Sequence, residues 1–291
     1  MKRHSFPGFK GRSIWDVGKF FVDSLFDADL IVRASSLAFN FFLALFPAII
    51  FLFTVIAYIP IDNFQNDLLI QIKRLLPVNA YEVLLSTIDD ILNNQHLSLL
   101  SIGFVFALYF SSNAFNSMMT TFDKYTSDKQ RRAWYSARIR SIGLTLLVAL
   151  IVLAMVAIIT YVQVTISWLK NQHLVNDTWN YWILRVFQYS SLLILIYFVY
   201  SSLYYFGSSK VAKWHFFSVG STLATILSLI ASAGFTFYVN NFDSYNRLYG
   251  SIGTIIVLML FIYFNCIMLL VGFELNSSVD RAEIKAIGSE T

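Results

Sequence analysis

Apolar residues in this chain gather into runs near twenty residues long, the length a helix needs to cross a bilayer core of about 30 Å. Six such runs stand out, at about 34–59, 97–119, 142–167, 181–206, 214–239 and 252–273. They predict an all-α, multi-pass membrane protein with six transmembrane helices in one domain over 1–291. The second run is the most interrupted, because Ser111, Ser112, Asn113, Asn116 and Ser117 break its C-terminal half. Ahead of the first run, 13–29 repeats Ile14, Val17, Phe21 and Leu25 at helical steps beside Trp15 and Lys19, which predicts an amphipathic helix in the membrane interface or a cap packed on the bundle. Between the first two runs, 60–96 reads as an external loop with two short amphipathic helices either side of Pro77, a solvated lid or a partner-binding surface. Residues 274–291 read as a cytoplasmic tail. The first long apolar run begins only at Ala34, behind a basic, aromatic leader, so the pattern is not that of a cleavable signal peptide.

Composition agrees with the pattern. The 291 residues are 57% hydrophobic and 13% charged, against roughly 25% charged in a soluble domain, and mean hydropathy is +0.63. Too little polar side chain is present to cover a soluble monomer, so the surrounding solvent is largely lipid. The distribution of charge then predicts orientation. Of 21 Lys and Arg, sixteen fall in the leader (Lys2, Arg3, Lys10, Arg12, Lys19, Arg33), the 120–141 loop (Lys124, Lys129, Arg131, Arg132, Arg138, Arg140), the 207–213 loop (Lys210, Lys213) and the tail (Arg281, Lys285). Four (Lys73, Arg74, Lys170, Arg247) fall on the other side, and Arg185 lies inside a run. Cytoplasmic loops carry the excess of positive charge, so both termini are expected in the cytoplasm.

Polar residues at membrane depth cost a few kcal/mol unless paired or hydrated, and they are the candidate functional positions. Asn40 lies about two turns inside the first run. Pro47 removes a backbone donor and leaves the carbonyl of Leu43 without its helical partner, which predicts a kink. Arg185 and Gln188 sit near the external end of the fourth run, where Arg185 snorkels outward, pairs in the bundle or grips an anionic ligand. Asn113, Asn116 and Asn265 suit hydrogen bonds between helices. Gly220, Ala224, Ser228 and Ser232 form a small-residue stripe that lets a second helix approach closely, from the same chain or from a second copy in a homo-oligomer. Glu274 closes the last run as an interface anchor or a coupling carboxylate.

Other chemistries find no footing. The chain has neither a Gly-Lys-Ser/Thr element nor a Gly-x-Gly-x-x-Gly turn, the elements that cradle nucleotide phosphates. Its four histidines are scattered, and one cysteine, Cys266, permits no intrachain disulfide and no Cys-based zinc cluster. No catalytic residue, metal or cofactor is therefore nominated. Membrane lipids are the expected partners, and no nucleic acid is expected, because topology already accounts for the Arg131–Arg132 loop.

Three segments resemble the YihY/virulence factor BrkB family of bacterial membrane proteins: SSLAFNFFLALFP at 35–47, YVNNFDSYNRLYGS at 238–251 and YGSIGTIIVLMLFIYFNCIMLLVGFELN at 249–276. The last is the most specific, with Tyr249, Gly250 and Ser251 opening the final helix and Gly272, Glu274, Leu275 and Asn276 closing it. At Asn40–Phe41, where relatives often carry tyrosines, the chain departs from the pattern. The resemblance implies six helices with both termini inside. Relatives have carried a ribonuclease label, which nothing in this sequence supports; links of some relatives to lipid handling imply transport. The functional expectation is transport or flipping of an amphiphilic, lipid-like, anionic substrate through a cavity lined by Asn40, Pro47, Asn113, Asn116, Arg185 and Gln188. The rivals are a non-transporting scaffold or assembly factor, and a membrane-embedded enzyme.

Overall fold

A computed structural model describes residues 13–26, 29–57, 97–123, 134–171, 178–208, 216–241 and 251–288. These form seven helices: α1 (Ile14–Leu25), α2 (Asp29–Ala57), α3 (Leu97–Asp123), α4 (Trp134–Asn171), α5 (Thr178–Gly207), α6 (Val219–Asn241) and α7 (Ser251–Gly288). No strand occurs among the described residues. The fold is that of an all-α, multi-pass membrane protein. Helices satisfy every interior backbone group without water, and several hydroxyls in them fold back on their own helix. Thr145 donates to the Ser141 carbonyl and Thr225 to the Ser221 carbonyl, each at 2.8 Å.

Five helices are long and apolar enough to cross a membrane, over Asp29–Pro47, Trp134–Leu169, Tyr181–Gly207, Val219–Tyr238 and Ile255–Lys285. The sixth predicted span, α3, is 27 residues long, apolar over its first half and polar over its second. Its polar C-terminal half is turned to neighbouring helices rather than lipid, with Ser117 facing α2 and Asn113 facing α4. The helices also outrun the hydropathy boundaries. α2 begins at Asp29, so Arg33 is helical; α4 begins at Trp134, so Arg138 and Arg140 lie on its first two turns. The expected tail is helix as far as Gly288. Charge ends the hydrophobic slab but not the helix, because α7, at 38 residues and about 57 Å, is nearly twice the bilayer core. α2 runs through Pro47 to Ala57. The 60–96 loop helices, most of the leader, and Tyr249 and Gly250 lie outside the described residues.

α2 to α7 pack as a closed ring, each on the next and α7 back on α2. α1 is a cap on this ring. Ser13 accepts from the Trp15 N–H at 3.3 Å to start it, and its buried side, centred on Val17, packs on Leu275, Val279 and Ala282 of α7 with Phe20 and Phe21 alongside. Of the two placements expected for this helix, the Val17–Phe21 face takes the cap, packed on α7. The opposite stripe, Trp15, Lys19, Val22 and Phe26, is exposed, with Trp15 at 80% and Phe26 at 85%.

Among the described residues the main core gathers at one end of the ring. Its buried cluster runs through Leu30–Ala38, Phe115–Phe122, Leu144, Tyr200–Tyr204, Ala224 and Cys266–Phe273. All of these lie towards the end that carries α1 and the basic 120–141 loop, hereafter the basic end. At its centre Phe122 and Phe273 stack with centroids 4.0 Å apart, and Tyr204 leans on both. Towards the other end, Val162 and Ile166 of α4 are buried, whereas the described lengths of α5 and α6 there are almost all exposed or half-buried. From Tyr181 to Val199 only Gln188 is buried, and from Leu229 to Tyr238 no residue is.

Candidate functional site

The segment Gly272–Asn276 of α7 gathers five other helices in five residues. Gly272 lets α6 approach: a Cβ there would stand 2.6 Å from the Gly220 carbonyl oxygen, 2.7 Å from the Ala224 Cβ and against the Tyr204 hydroxyl. Tyr204, from α5, donates that hydroxyl to the Leu269 carbonyl at 2.7 Å. Phe273 enters the aromatic stack. Glu274 meets α2, where Arg33 Nη1 donates to its Oε1 at 3.3 Å, with relative exposures of 5% for Arg33 and 0% for Glu274. Leu275 packs under α1. Asn276 caps α6: its Oδ1 accepts the Gly220 N–H at 2.8 Å and its Nδ2 donates to Ser218 Oγ at 2.9 Å. Ser218 itself accepts the Ser221 N–H at 3.1 Å, so the first turn of α6 has its free donors served by two side chains.

Around Glu274, Ser24 and Arg281 stand beside the carboxylate, and Arg281 Nη1 donates to Ser24 Oγ at 3.3 Å. The second carboxylate oxygen, Oε2, accepts no hydrogen bond. Arg33 Nε donates to the Asp29 carbonyl at 3.1 Å, which aims the guanidinium along α2.

The six residues expected to line one cavity divide into separate groups. Asn40 donates to Ser117 Oγ at 3.3 Å and to the Ser36 carbonyl at 2.8 Å, tying α2 to α3. Asn113 accepts from Arg138 Nη1, and the Arg138 guanidinium lies 4.9 Å over the Tyr109 ring, tying α3 to α4. Asn116 is half-buried, and its carbonyl accepts from Thr120. Pro47 is half-buried in α2. Arg185 and Gln188 are elsewhere. Arg138 is near the start of α4 and Arg185 near the start of α5; these two helices pair across a six-residue connection, so the two arginines stand about 40 Å apart along the bundle. A single cavity does not contain both groups.

Arg185 finds its partners on its own helix. Its Nη1 donates to Gln188 Oε1 at 2.9 Å and its Nε to the Tyr181 hydroxyl at 3.3 Å, with the guanidinium 5.4 Å over that ring. Tyr181 lies one turn towards the start of α5 and Gln188 one turn deeper, so the guanidinium is held between two side chains of its own helix. In the small-residue stripe, Gly220 and Ala224 meet Gly272, and Ser228 donates to Asn265 Oδ1 at 2.6 Å, so these three face α7 of the same chain. Ser232 is half-buried one turn further. Ser251 starts α7.

Arg33 and Arg138 belong to these polar ties although the charge count places them in the leader and the 120–141 loop. The signal was the helical stripe each one shares: Leu30, Arg33, Ala34 and Leu37 on α2, and Arg138, Ser141, Thr145 and Val148 on α4. A charged residue in register with an inward face points inward. Tyr204 offered no comparable signal among many tyrosines.

A ring of membrane-length helices with an ion pair and polar ties inside defines a multi-pass membrane protein. Residues 21–290 match the Virulence factor BrkB family, and the chain belongs to that family. It is 32% identical over 251 residues to YfkH of Bacillus subtilis (strain 168), named as ribonuclease-like, covering 86% of this chain and 90% of that protein. It is 22% identical over 252 residues to the UPF0761 membrane protein NTHI0384 of Haemophilus influenzae (strain 86-028NP), covering 85% and 89% of the two chains. To the UPF0761 membrane protein XAC0937 of Xanthomonas axonopodis pv. citri (strain 306) it is 42% identical over 60 residues, 21% of this chain and 14% of that one. No solved structure matches it.

Proposed function

We propose that this protein moves or flips an amphiphilic, lipid-like substrate with an anionic head across a bacterial inner membrane, with the basic end in the cytoplasm. The observation that carries the reading is the placement of the core: an aromatic and aliphatic plug closes the basic end, while the described lengths Tyr181–Val199 of α5 and Leu229–Tyr238 of α6 bury only Gln188. A half-buried guanidinium on that length of α5, braced by Tyr181 and Gln188, supports an anionic head as the ligand. The sixteen-to-four distribution of positive charge supports the orientation. In this reading the chain carries substrate without chemistry, and the ribonuclease-like name of YfkH is not transferred to it.

The test is reconstitution in phosphatidylethanolamine–phosphatidylglycerol vesicles carrying a head-labelled phosphatidylglycerol in both leaflets, with a membrane-impermeant quencher added outside. The wild type is expected to expose more than the outer half of the label, and Arg185→Ala to fall back towards protein-free vesicles. Arg185→Lys should rescue poorly if a planar fork grips the head. Full activity of the lysine variant would sink the bidentate grip, and full activity of the alanine variant would remove Arg185 from the path. Wild-type vesicles indistinguishable from empty ones would reject this lipid as cargo and favour the scaffold reading, whose own support is the exposed Trp15–Phe26 stripe on α1.

A further inference from the structure

We propose that the Arg33–Glu274 pair is a latch that holds the basic end of the ring shut, an inference that rests on reading the opposite half as the substrate's way in. The pair spans the α2–α7 seam, the contact that closes the ring. It also sits directly beside the plug. Leu30, Ala34 and Leu37 flank Arg33 on α2, Leu270 and Phe273 flank Glu274 on α7, and all five belong to the one buried cluster. Parting α2 from α7 at this level pulls Phe273 away from the stack with Phe122.

The bonding is that of a switch rather than a brace. A buried ion pair stabilises a fold only when its remaining lone pairs are satisfied, and an apolar replacement of both partners is often as stable. Here one carboxylate oxygen is bonded at 3.3 Å and the other accepts nothing. Ser24 of α1 and Arg281 of α7 stand beside the same carboxylate. When Arg33 leaves, Glu274 therefore passes to a second polar set already in place instead of being stranded in an apolar gap. Two discrete arrangements of one charge are what a two-state element needs.

The protein contains its own reporter. Its single cysteine, Cys266, belongs to the plug and is 4% exposed. Full-length protein in sealed vesicles of each orientation is treated with a small membrane-impermeant thiol reagent, and the labelling rate of Cys266 is followed from each side. Wild type should label slowly from the basic side. Arg33→Met and Glu274→Gln should each label at least about tenfold faster from that side alone, the factor produced by losing about 1.4 kcal/mol of closing free energy. The exchanged pair, Arg33→Glu with Glu274→Arg, should return the rate towards wild type. Wild-type rates in both single variants would overturn the latch, as would fast labelling that the exchange fails to slow, since that marks a packing defect rather than a lost pairing. The readout needs no substrate. If lipid exposure fails while the labelling rates respond as stated, the flipping reading falls and the latch stands.

Discussion

Replacing Gly272 by alanine adds one methyl group at the tightest crossing described in the ring, and the outcome can be worked from distances. The new Cβ would stand 2.6 Å from the Gly220 oxygen and 2.7 Å from the Ala224 Cβ, and would press on the Tyr204 hydroxyl. Carbon contacts settle near about 3.5–4.0 Å, so α6 and α7 must part by about 1 Å. Overpacking of this kind costs about 1–3 kcal/mol. The Gly220–Asn276 bond of 2.8 Å lies at the same crossing, and its loss adds about 1 kcal/mol. Alanine returns about 0.5–1 kcal/mol of helix propensity. The net expectation is a destabilisation of about 1–3 kcal/mol, read as a Tm lower by about 3–10 °C in detergent-solubilised protein. Gly143→Ala and Gly234→Ala supply the controls, because a Cβ at either position meets nothing within 4 Å, so the same chemistry should leave Tm unchanged or raise it. Near-ultraviolet circular dichroism against temperature measures all three. A Gly272→Ala variant that melts with or above the Gly234→Ala control would refute the close-crossing argument.

Removing either partner of the Arg138–Asn113 tie should cost stability, and a double-mutant cycle with Arg138→Met and Asn113→Leu should yield a coupling of about 1–2 kcal/mol by thermal unfolding; additive effects would mean that the bond contributes nothing. For topology, in a Cys266→Ser background, cysteines at Asp67 and Asp177 should react with an impermeant thiol reagent added to intact cells, while those at Asp128 and Glu283 should not. Labelling at position 128 from outside would reverse the orientation drawn from the charge count.

The number of long helices, their lipid solvent and the family were legible in the sequence, because run length and apolarity answer to one physical demand: a backbone in hydrocarbon must bond to itself. The Gly220–Ala224–Ser228 stripe was legible for a similar reason, since small side chains at a four-residue spacing line one helix face whatever surrounds them. What each polar residue touches was not legible. Hydropathy assigned Arg33 and Arg138 to loops because it averages along the chain, whereas burial depends on which neighbour a helix face meets. Glu274 reads as an interface anchor or a coupling carboxylate, and its pairing with Arg33 is not legible because that partner lies 241 positions away and no local pattern encodes a contact made by closing a ring. The same limit grouped Arg185 with Asn113, which have similar chemistry but lie at opposite ends of the bundle. For α1 the sequence shows that the helix has an apolar face and leaves open whether lipid or α7 covers it. Only the tertiary structure decides that, since the pairing of faces is a competition among all the helices at once, and a single segment carries no record of its rivals.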